Sequence, residues 1–357
     1  MTHQDNAFGN TVILVRRDLA YQKVGGTISK TLQGKMFFLD WKTMLPPMLK
    51  KLKRKNVIFI GPLTEPTLRR ILGPSLFARK KVLYCTVEGP PLLYWTKPIL
   101  KILSKKMFTV VAPSKFVRRE LEMAGIRVSA VIPHALDLGE IGKLSSSAQK
   151  IETPWTDMIS EAKDLGKTIL LSVTSMSWFR KGLYYYLEAL RKLERFEDAF
   201  LAVLKFQETP WNISSQLPTH VLKIVGEVSE MELYKLYSLS DVVVVPSLSE
   251  GFGIPIIEAF SAGKPVITLD APPMNEINTE ETGYLVKVKR EFVAKKIEGD
   301  WTTTVRYRVP DLEDFVEKLR ESIENVNERK SKALRASLEA KSYDCNEVYR
   351  KFNCLLV

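Results

Sequence analysis

The sequence predicts an α/β fold made of two parallel sheets, each with helices on both faces. Three observations carry that prediction. Short apolar runs alternate with helical patterns along most of the chain, the signature of strand–helix–strand units. A length of 357 residues with 45% hydrophobic content is enough for two cored domains. The run from Asp241 to Pro246, DVVVVP, is a continuous β-branched segment, which is how a strand buried on both faces of a parallel sheet reads.

In the N-terminal half the predicted strands are residues 11–15, 35–39, 56–60, 81–87 and 108–112. After the first, a loop is expected to end in Val24-Gly25-Gly26-Thr27, where the paired glycines signal a turn. The fourth runs into Glu88-Gly89-Pro90-Pro91, placing a carboxylate at the carboxyl edge of the sheet, where open α/β folds bind ligands. Glu88 either orients ligand hydroxyls or caps a turn. Residues 98–107 carry Lys101 and Lys105 on the face that starts at Lys97, which fits a membrane-facing basic helix or a packed helix with a solvated lysine face. A helix from Ser114 to Ala124 and the segment Val131-Ile132-Pro133-His134 follow, and residues 139–167 contain no core-forming strand and read as a linker.

In the C-terminal half the strands are residues 168–173, 201–206, 221–225, 241–245, 265–269 and 283–288, a second Rossmann-like sheet. Arg180 and Lys181 sit on the loop after the first of these, ahead of a helix with Leu183, Tyr186, Leu187, Leu190 and Leu193 at helical spacing. Paired cations there can neutralise a diphosphate, or can be two exposed loop charges. The stretch Ser247 to Gly263 reads as strand end, glycine loop and helix start: Gly251 and Gly253 allow close approach to main-chain amides, Pro255 suits a first helical turn, and Gly263 with Pro265 supplies a stop. Free amides and the helix dipole at such a start favour an anion. Glu250 and Glu258 frame the loop, and a carboxylate suits hydroxyl donors; a ligand bearing phosphate and several hydroxyls fits both features. Glu258 by itself also fits a surface acid that favours the dipole. Residues 289–310 form a basic and aromatic insert, either a cover for the site or a surface excursion, and the chain is helical from Asp311 onward.

The net charge of +12 has a location, because fifteen basic residues against Asp40, Glu65 and Glu88 lie between positions 40 and 106. Such a field attracts anionic lipid, nucleic acid or an acidic substrate, and the run Lys50, Lys51, Lys53, Arg54, Lys55 beside Leu45, Met48 and Leu49 is the strongest membrane candidate. Stacking aromatics do not interleave that run, which disfavours single-stranded nucleic acid. The polar N-terminus lacks a signal-peptide pattern, no run approaches the roughly 18 apolar residues of a membrane span, and the scattered Cys85, Cys345 and Cys354 suggest a reducing compartment without a metal site. Asn212-Ile213-Ser214 is then a chance sequon.

The segment from Ser247, through Glu250-Gly251-Phe252-Gly253, to Glu258 resembles the E-x7-E signature of the retaining GT-B glycosyltransferases of family 4, the glycosyl transferases group 1. The similarity runs from about Val24 to Val286 and includes Arg180-Lys181-Gly182 and Thr282-Gly283-Tyr284-Leu285-Val286. It implies a GT-B architecture: an acceptor-side Rossmann-like domain over residues 1–140, a linker at 141–167, a nucleotide-sugar domain at 168–340, and a C-terminal helix at 341–357 that crosses back to the first domain. By resemblance, Glu250 lies by the donor sugar and Gly251, Phe252, Gly253 and Ile254 contact sugar and phosphate. Glu258 then holds the ribose, Arg180 and Lys181 hold the diphosphate, and Gly25 and Gly26 approach the ligands as a glycine-rich loop. Glu88 stands where many members have histidine or aspartate, and Ala135 where glycine is usual.

The expected activity is retaining, metal-independent transfer of a hexosyl group from a nucleotide diphosphate sugar to an acceptor hydroxyl, the acceptor being a glycan or lipid-linked. No Asp-x-Asp occurs, which agrees with the metal-independent chemistry that the resemblance implies, and neither a cofactor nor a metal is expected. The expected location is cytoplasmic, with a peripheral position on the inner face of a membrane if the basic surface binds lipid. The alternatives are a non-catalytic GT-B-like protein that uses its basic surface for membrane or nucleic acid, and an epimerase or phosphorylase on the same scaffold.

Overall fold

The computed structural model describes residues 10–39, 46–91, 107–174, 177–207, 217–218, 220–298 and 301–357. The extreme N-terminus, Lys42, the basic segment 97–106 and the 212–214 sequon lie outside the described residues. By contact the chain divides into two units. The first holds the residues up to Asp137, Val293–Arg306 and Tyr343–Val357; the second holds Leu138–Phe292 and Tyr307–Ser342.

Unit 1 is a parallel sheet in the order β2-β1-β3-β4-β5-β6, formed by β1 (Thr11–Val15), β2 (Lys35–Phe38), β3 (Asn56–Pro62), β4 (Lys80–Thr86), β5 (Thr109–Ala112) and β6 (Ala130–Val131). The central β1 is buried along its whole length, with Ile13 in register between Met36 and Ile58. Helix α1 (Leu19–Thr31) crosses from β1 to β2, and α2 (Pro46–Leu52) and α3 (Glu65–Phe77) flank β3. Helix α4 (Lys115–Met123) starts where the Val117 amide donates to Ser114 Oγ at 3.1 Å, a side-chain N-cap.

The expected glycine loop is absent, because Gly25 and Gly26 lie inside α1. A Cβ on Gly25 would meet Val15 Cγ2 at 2.4 Å, so the missing side chain lets helix and strand pack closely. Tertiary packing overrides the turn signal here.

Residues 343–357 coil through short helical turns and pack within unit 1. Leu136 N–H donates to the Tyr343 carbonyl at 2.9 Å and its own carbonyl accepts from Cys345 N–H at 2.8 Å. Phe352 is buried edge-on against Tyr84, with centroids 5.3 Å apart.

Unit 2 repeats the plan in the order β12-β11-β10-β7-β8-β9: β7 (Thr168–Thr174), β8 (Phe200–Phe206), β9 (Val221–Val225), β10 (Val242–Val245), β11 (Val266–Leu269) and β12 (Gly283–Val286), all parallel. The chain winds outward from β7 through β8 to β9, then returns to start β10 on the other side of β7. The carboxyl ends of β7 and β10 therefore flank the topological switch point of this sheet, where doubly wound folds bind ligands. The stretch expected as a linker is instead two helices grouped with unit 2, α5 (Leu138–Ala148) and α6 (Pro154–Asp164). The second is started by a Thr153–Thr156 capping box with Pro154 at its first position, and both bury apolar residues, among them Ile141 and Ile159.

Helix α7 (Leu183–Lys192) follows β7, α8 (Glu230–Leu239) leads into β10, and α9 (Ile254–Ser261) follows β10. The insert at 289–310 is a two-stranded ribbon, β13 (Val288–Glu298) with β14 (Trp301–Pro310). Helices α10 (Leu312–Glu324) and α11 (Val326–Glu339) complete the unit.

Candidate functional site

Two loops meet at the switch point of unit 2, and glycine makes the meeting possible. Gly182 sits at φ +69°, and a Cβ there would fall 1.8 Å from the Pro246 carbonyl oxygen. The loop after β7 can therefore lie directly on the loop after β10. Leu248 N–H donates to the Arg180 carbonyl at 2.8 Å, and Arg180 Nη1 donates to the Ser249 carbonyl at 3.0 Å.

This contact delivers two cations to one carboxylate. Lys181 Nζ is 2.5 Å from Glu250 Oε1, and Arg180 Nη1 is 3.7 Å from Oε2. The side chains of Lys181, Arg180 and Glu250 are nearly dry, at 15%, 14% and 10% exposure respectively. Burial pushes the Glu250 carboxyl up, but Lys181 and then Arg180 outweigh it and hold the group below the usual carboxylate range. The result is a compact, charged, poorly hydrated cluster with one net positive charge.

Beyond Glu250 the backbone turns through Gly251, Phe252 and Gly253, the last at φ +110°, and enters α9 at Ile254. No side chain caps that helix and its first turn holds no acidic residue. The dipole and amides at its start therefore add to the local positive field. Glu258 follows on the same helix, buried at 6% exposure, and its Oε2 accepts from Tyr237 Oη at 3.1 Å. Burial first, and Glu258 second, push the Tyr237 phenol well above its usual range, so it stays a donor. The sequence reading missed Tyr237. Its signal was the pair Tyr234 and Tyr237, three apart on the helix before the motif strand, which puts both on one face.

The structure thus brings together Arg180, Lys181 and Glu250, with Gly251 to Ile254 and Glu258 continuing from them. Gly25, Gly26 and Glu88 belong to unit 1. Glu88 follows β4, and its carbonyl accepts from Arg306 N–H at 2.8 Å. Arg306 also donates from Nε to Oε1 of the fully buried Glu120 at 3.0 Å. Beside them Tyr21 Oη bonds Thr86 Oγ1, and burial raises the Tyr21 phenol above its ordinary value. His134 is buried with Nδ1 2.8 Å from Tyr84 Oη, and burial pulls its imidazole down to about 3. Among the described residues no cluster of three or more His, Cys, Asp or Glu could hold a metal ion.

Residues 155–299 match the family model described as glycosyl transferases group 1, which spans both loops. The chain resembles the glycosyl transferases group 1 over that segment. It is 24% identical over 310 residues to the uncharacterized glycosyltransferase 335 of Sulfolobus islandicus rod-shaped virus 1, covering 84% of this chain and 86% of the relative. It is 31% identical over 115 residues to the O-antigen chain mannosyltransferase RfbU of Salmonella typhimurium, covering 30% of this chain and 32% of that one. Among solved structures, Anabaena Alr3699/HepE in complex with UDP-glucose matches with a TM-score of 0.64 at 16% identity, over 96% of this chain and 97% of that one. A UDP-forming trehalose-phosphate synthase from Burkholderia xenovorans matches with a TM-score of 0.71 at 12% identity, over 98% and 99%. With two parallel six-stranded sheets and these neighbours, the chain has the GT-B fold. Within the group 1 segment lie Arg180, Lys181, Glu250 and Glu258, whereas β14 begins beyond its end.

Proposed function

We propose that this chain is a retaining, metal-independent hexosyltransferase that moves a sugar from a nucleotide diphosphate sugar to the hydroxyl of a glycan or lipid-linked acceptor. The observation that carries the reading is the convergence, at the switch point between β7 and β10, of the Arg180–Lys181 pair, an uncapped helix start at Ile254 and the Glu258–Tyr237 pair. A diphosphate meets the first two, and ribose hydroxyls meet the third. As the bond from the anomeric carbon to the diphosphate breaks, negative charge grows on the leaving oxygen, and cations already fixed in a poorly hydrated site stabilise it without reorganising. The acceptor oxygen bonds to the same face of the sugar and passes its proton to the departing phosphate. Glu250, held by both cations, lies by the donor sugar.

A thermal-shift panel of UDP, GDP, ADP and their common sugar conjugates, with and without EDTA, tests the reading. Ligands that bind the folded state raise its apparent stability. A shift for one base that survives EDTA is expected; no shift for any nucleotide moves the weight to a non-catalytic protein. The anomeric configuration of the product by NMR tests retention, and release of sugar phosphate from glycan and inorganic phosphate would identify a phosphorylase.

An anionic membrane surface is a second expected partner, favoured by one patch on unit 1. Arg54 N–H donates to the Phe77 carbonyl at 3.2 Å and Arg79 N–H to the Lys55 carbonyl at 2.8 Å, joining the ends of α2 and α3. There Leu76 and Phe77 are 72% and 43% exposed beside the exposed Lys50, Lys51, Lys53, Arg54, Arg79 and Lys80. Apolar side chains rimmed by cations suit an anionic bilayer. No helix among the described residues is long and apolar enough to cross a membrane. Flotation with anionic but not neutral vesicles at low salt is expected, and equal recovery with both would count against it.

A further inference from the structure

We propose that Tyr307 and Arg308, at the base of the β13–β14 ribbon, are positioning residues for the diphosphate-binding loops, an inference that rests on the nucleotide-sugar reading above. Each holds a residue close to the cation pair and its carboxylate, Arg308 through Leu248 and Tyr307 through Phe179. Arg308 N–H donates to the Leu248 carbonyl at 2.9 Å, while Leu248 N–H donates to the Arg180 carbonyl at 2.8 Å. Leu248 is thus hydrogen-bonded on both sides, to the loop of the cation pair and to the ribbon. It lies two residues before Glu250. The Tyr307 ring meets Phe179, the residue before Arg180, with centroids 5.6 Å apart, and stacks on Phe292 of β13 at 5.4 Å. Arg308 is only 1% exposed, and its Nε donates to Glu291 Oε2 at 2.8 Å, which ties β14 to β13 at the same level.

A loop at a sheet edge is mobile unless several bonds fix it, and lost order must be supplied by the ligand on binding. The ribbon supplies that order in advance to both loops at once. Its effect falls on the diphosphate, because the ribbon's bonds reach the loops of Arg180 and Glu250, whereas the Glu258–Tyr237 pair sits on α9 and α8. Loosening the ribbon therefore lowers selectivity for a nucleoside diphosphate over its monophosphate.

The test is calorimetric titration of the full chain with UDP, GDP and ADP and with UMP, GMP and AMP. For the base that the wild type binds, Tyr307→Ala is expected to weaken diphosphate binding about tenfold and to leave the monophosphate within about twofold. Tyr307→Phe keeps the ring and restores the wild-type ratio. Glu291→Gln changes a partly exposed side chain, removes the negative charge facing the Arg308 guanidinium, and is expected to lower the ratio about threefold, so it decides the matter if Tyr307→Ala does not fold. An unchanged ratio in folded Tyr307→Ala, or an equal loss in Tyr307→Phe, would overturn the proposal alone. A wild type that binds none of the three diphosphates would overturn the nucleotide-sugar reading and this inference with it.

Discussion

Glu250 is nearly dry and charged, so its place in the fold depends on Lys181 and Arg180. Lys181→Met leaves the carboxylate with the Ser247 hydroxyl and the more distant guanidinium, without the close ammonium, and is expected to destabilise unit 2 by about 3 kcal/mol. Adding Glu250→Gln removes the stranded charge and should recover most of that loss, read by urea unfolding, while diphosphate binding stays lost. Because the folded pKa of Glu250 is depressed, its ion-pair stabilisation is complete above the ordinary carboxylate value and is lost as pH falls through the folded pKa. His134 acts at higher pH. Its imidazole is held near 3 against about 6.5 in the unfolded chain, so between those values the unfolded chain takes up a proton that the folded chain refuses. Stability is expected to fall as pH drops below about 6.5, by about 2 kcal/mol at pH 5, and His134→Gln should flatten that arm of the profile.

At the scale of elements, helix α1 offers a paired test of what its glycines do. Gly26 has open space around its position and lies in a helix interior, so Gly26→Ala is expected to stabilise the protein by about 0.5–1 kcal/mol. Gly25→Ala is expected to destabilise it, since the new methyl meets Val15; thermal melting separates the two. A glycine loop at a ligand would give losses of binding in both. Most strands were legible because β-branched runs in a parallel sheet need no partner to be recognised, and β1, β9 and the stretch around β10 fall where the pattern puts them. The helices α5 and α6 were obscured by Ser145-Ser146-Ser147 and mixed charge, although Thr153-Pro154 carried a readable start signal. The ribbon was not legible as such: what orders β14 is bonding to Leu248 and Glu88, far away in sequence, and local alternation does not encode that.

In the whole molecule each unit has its own sheet and core, and unit 1 takes its last layer from the end of the chain. Tyr349 Oη accepts from Ala135 N–H at 2.9 Å and Phe352 is buried against Tyr84. Phe352→Ala is expected to cost unit 1 about 3–5 kcal/mol, seen by hydrogen exchange as lost protection in β1 to β5 with β7 to β12 unchanged. The candidate-site residues in unit 2 were readable because the R-K-G and E-G-F-G loops are local motifs; Tyr237 and Arg308 were not, because each matters only through what the fold sets beside it. The most direct measurement of the central claim is calorimetric titration of UDP, GDP and ADP, with EDTA, into the wild type and into the Lys181→Met, Glu250→Gln double variant. One diphosphate should bind the wild type, with affinity reduced about tenfold or more in the variant. Equal affinity in a folded variant, or no binding by the wild type, would contradict a diphosphate site at the meeting of the two loops.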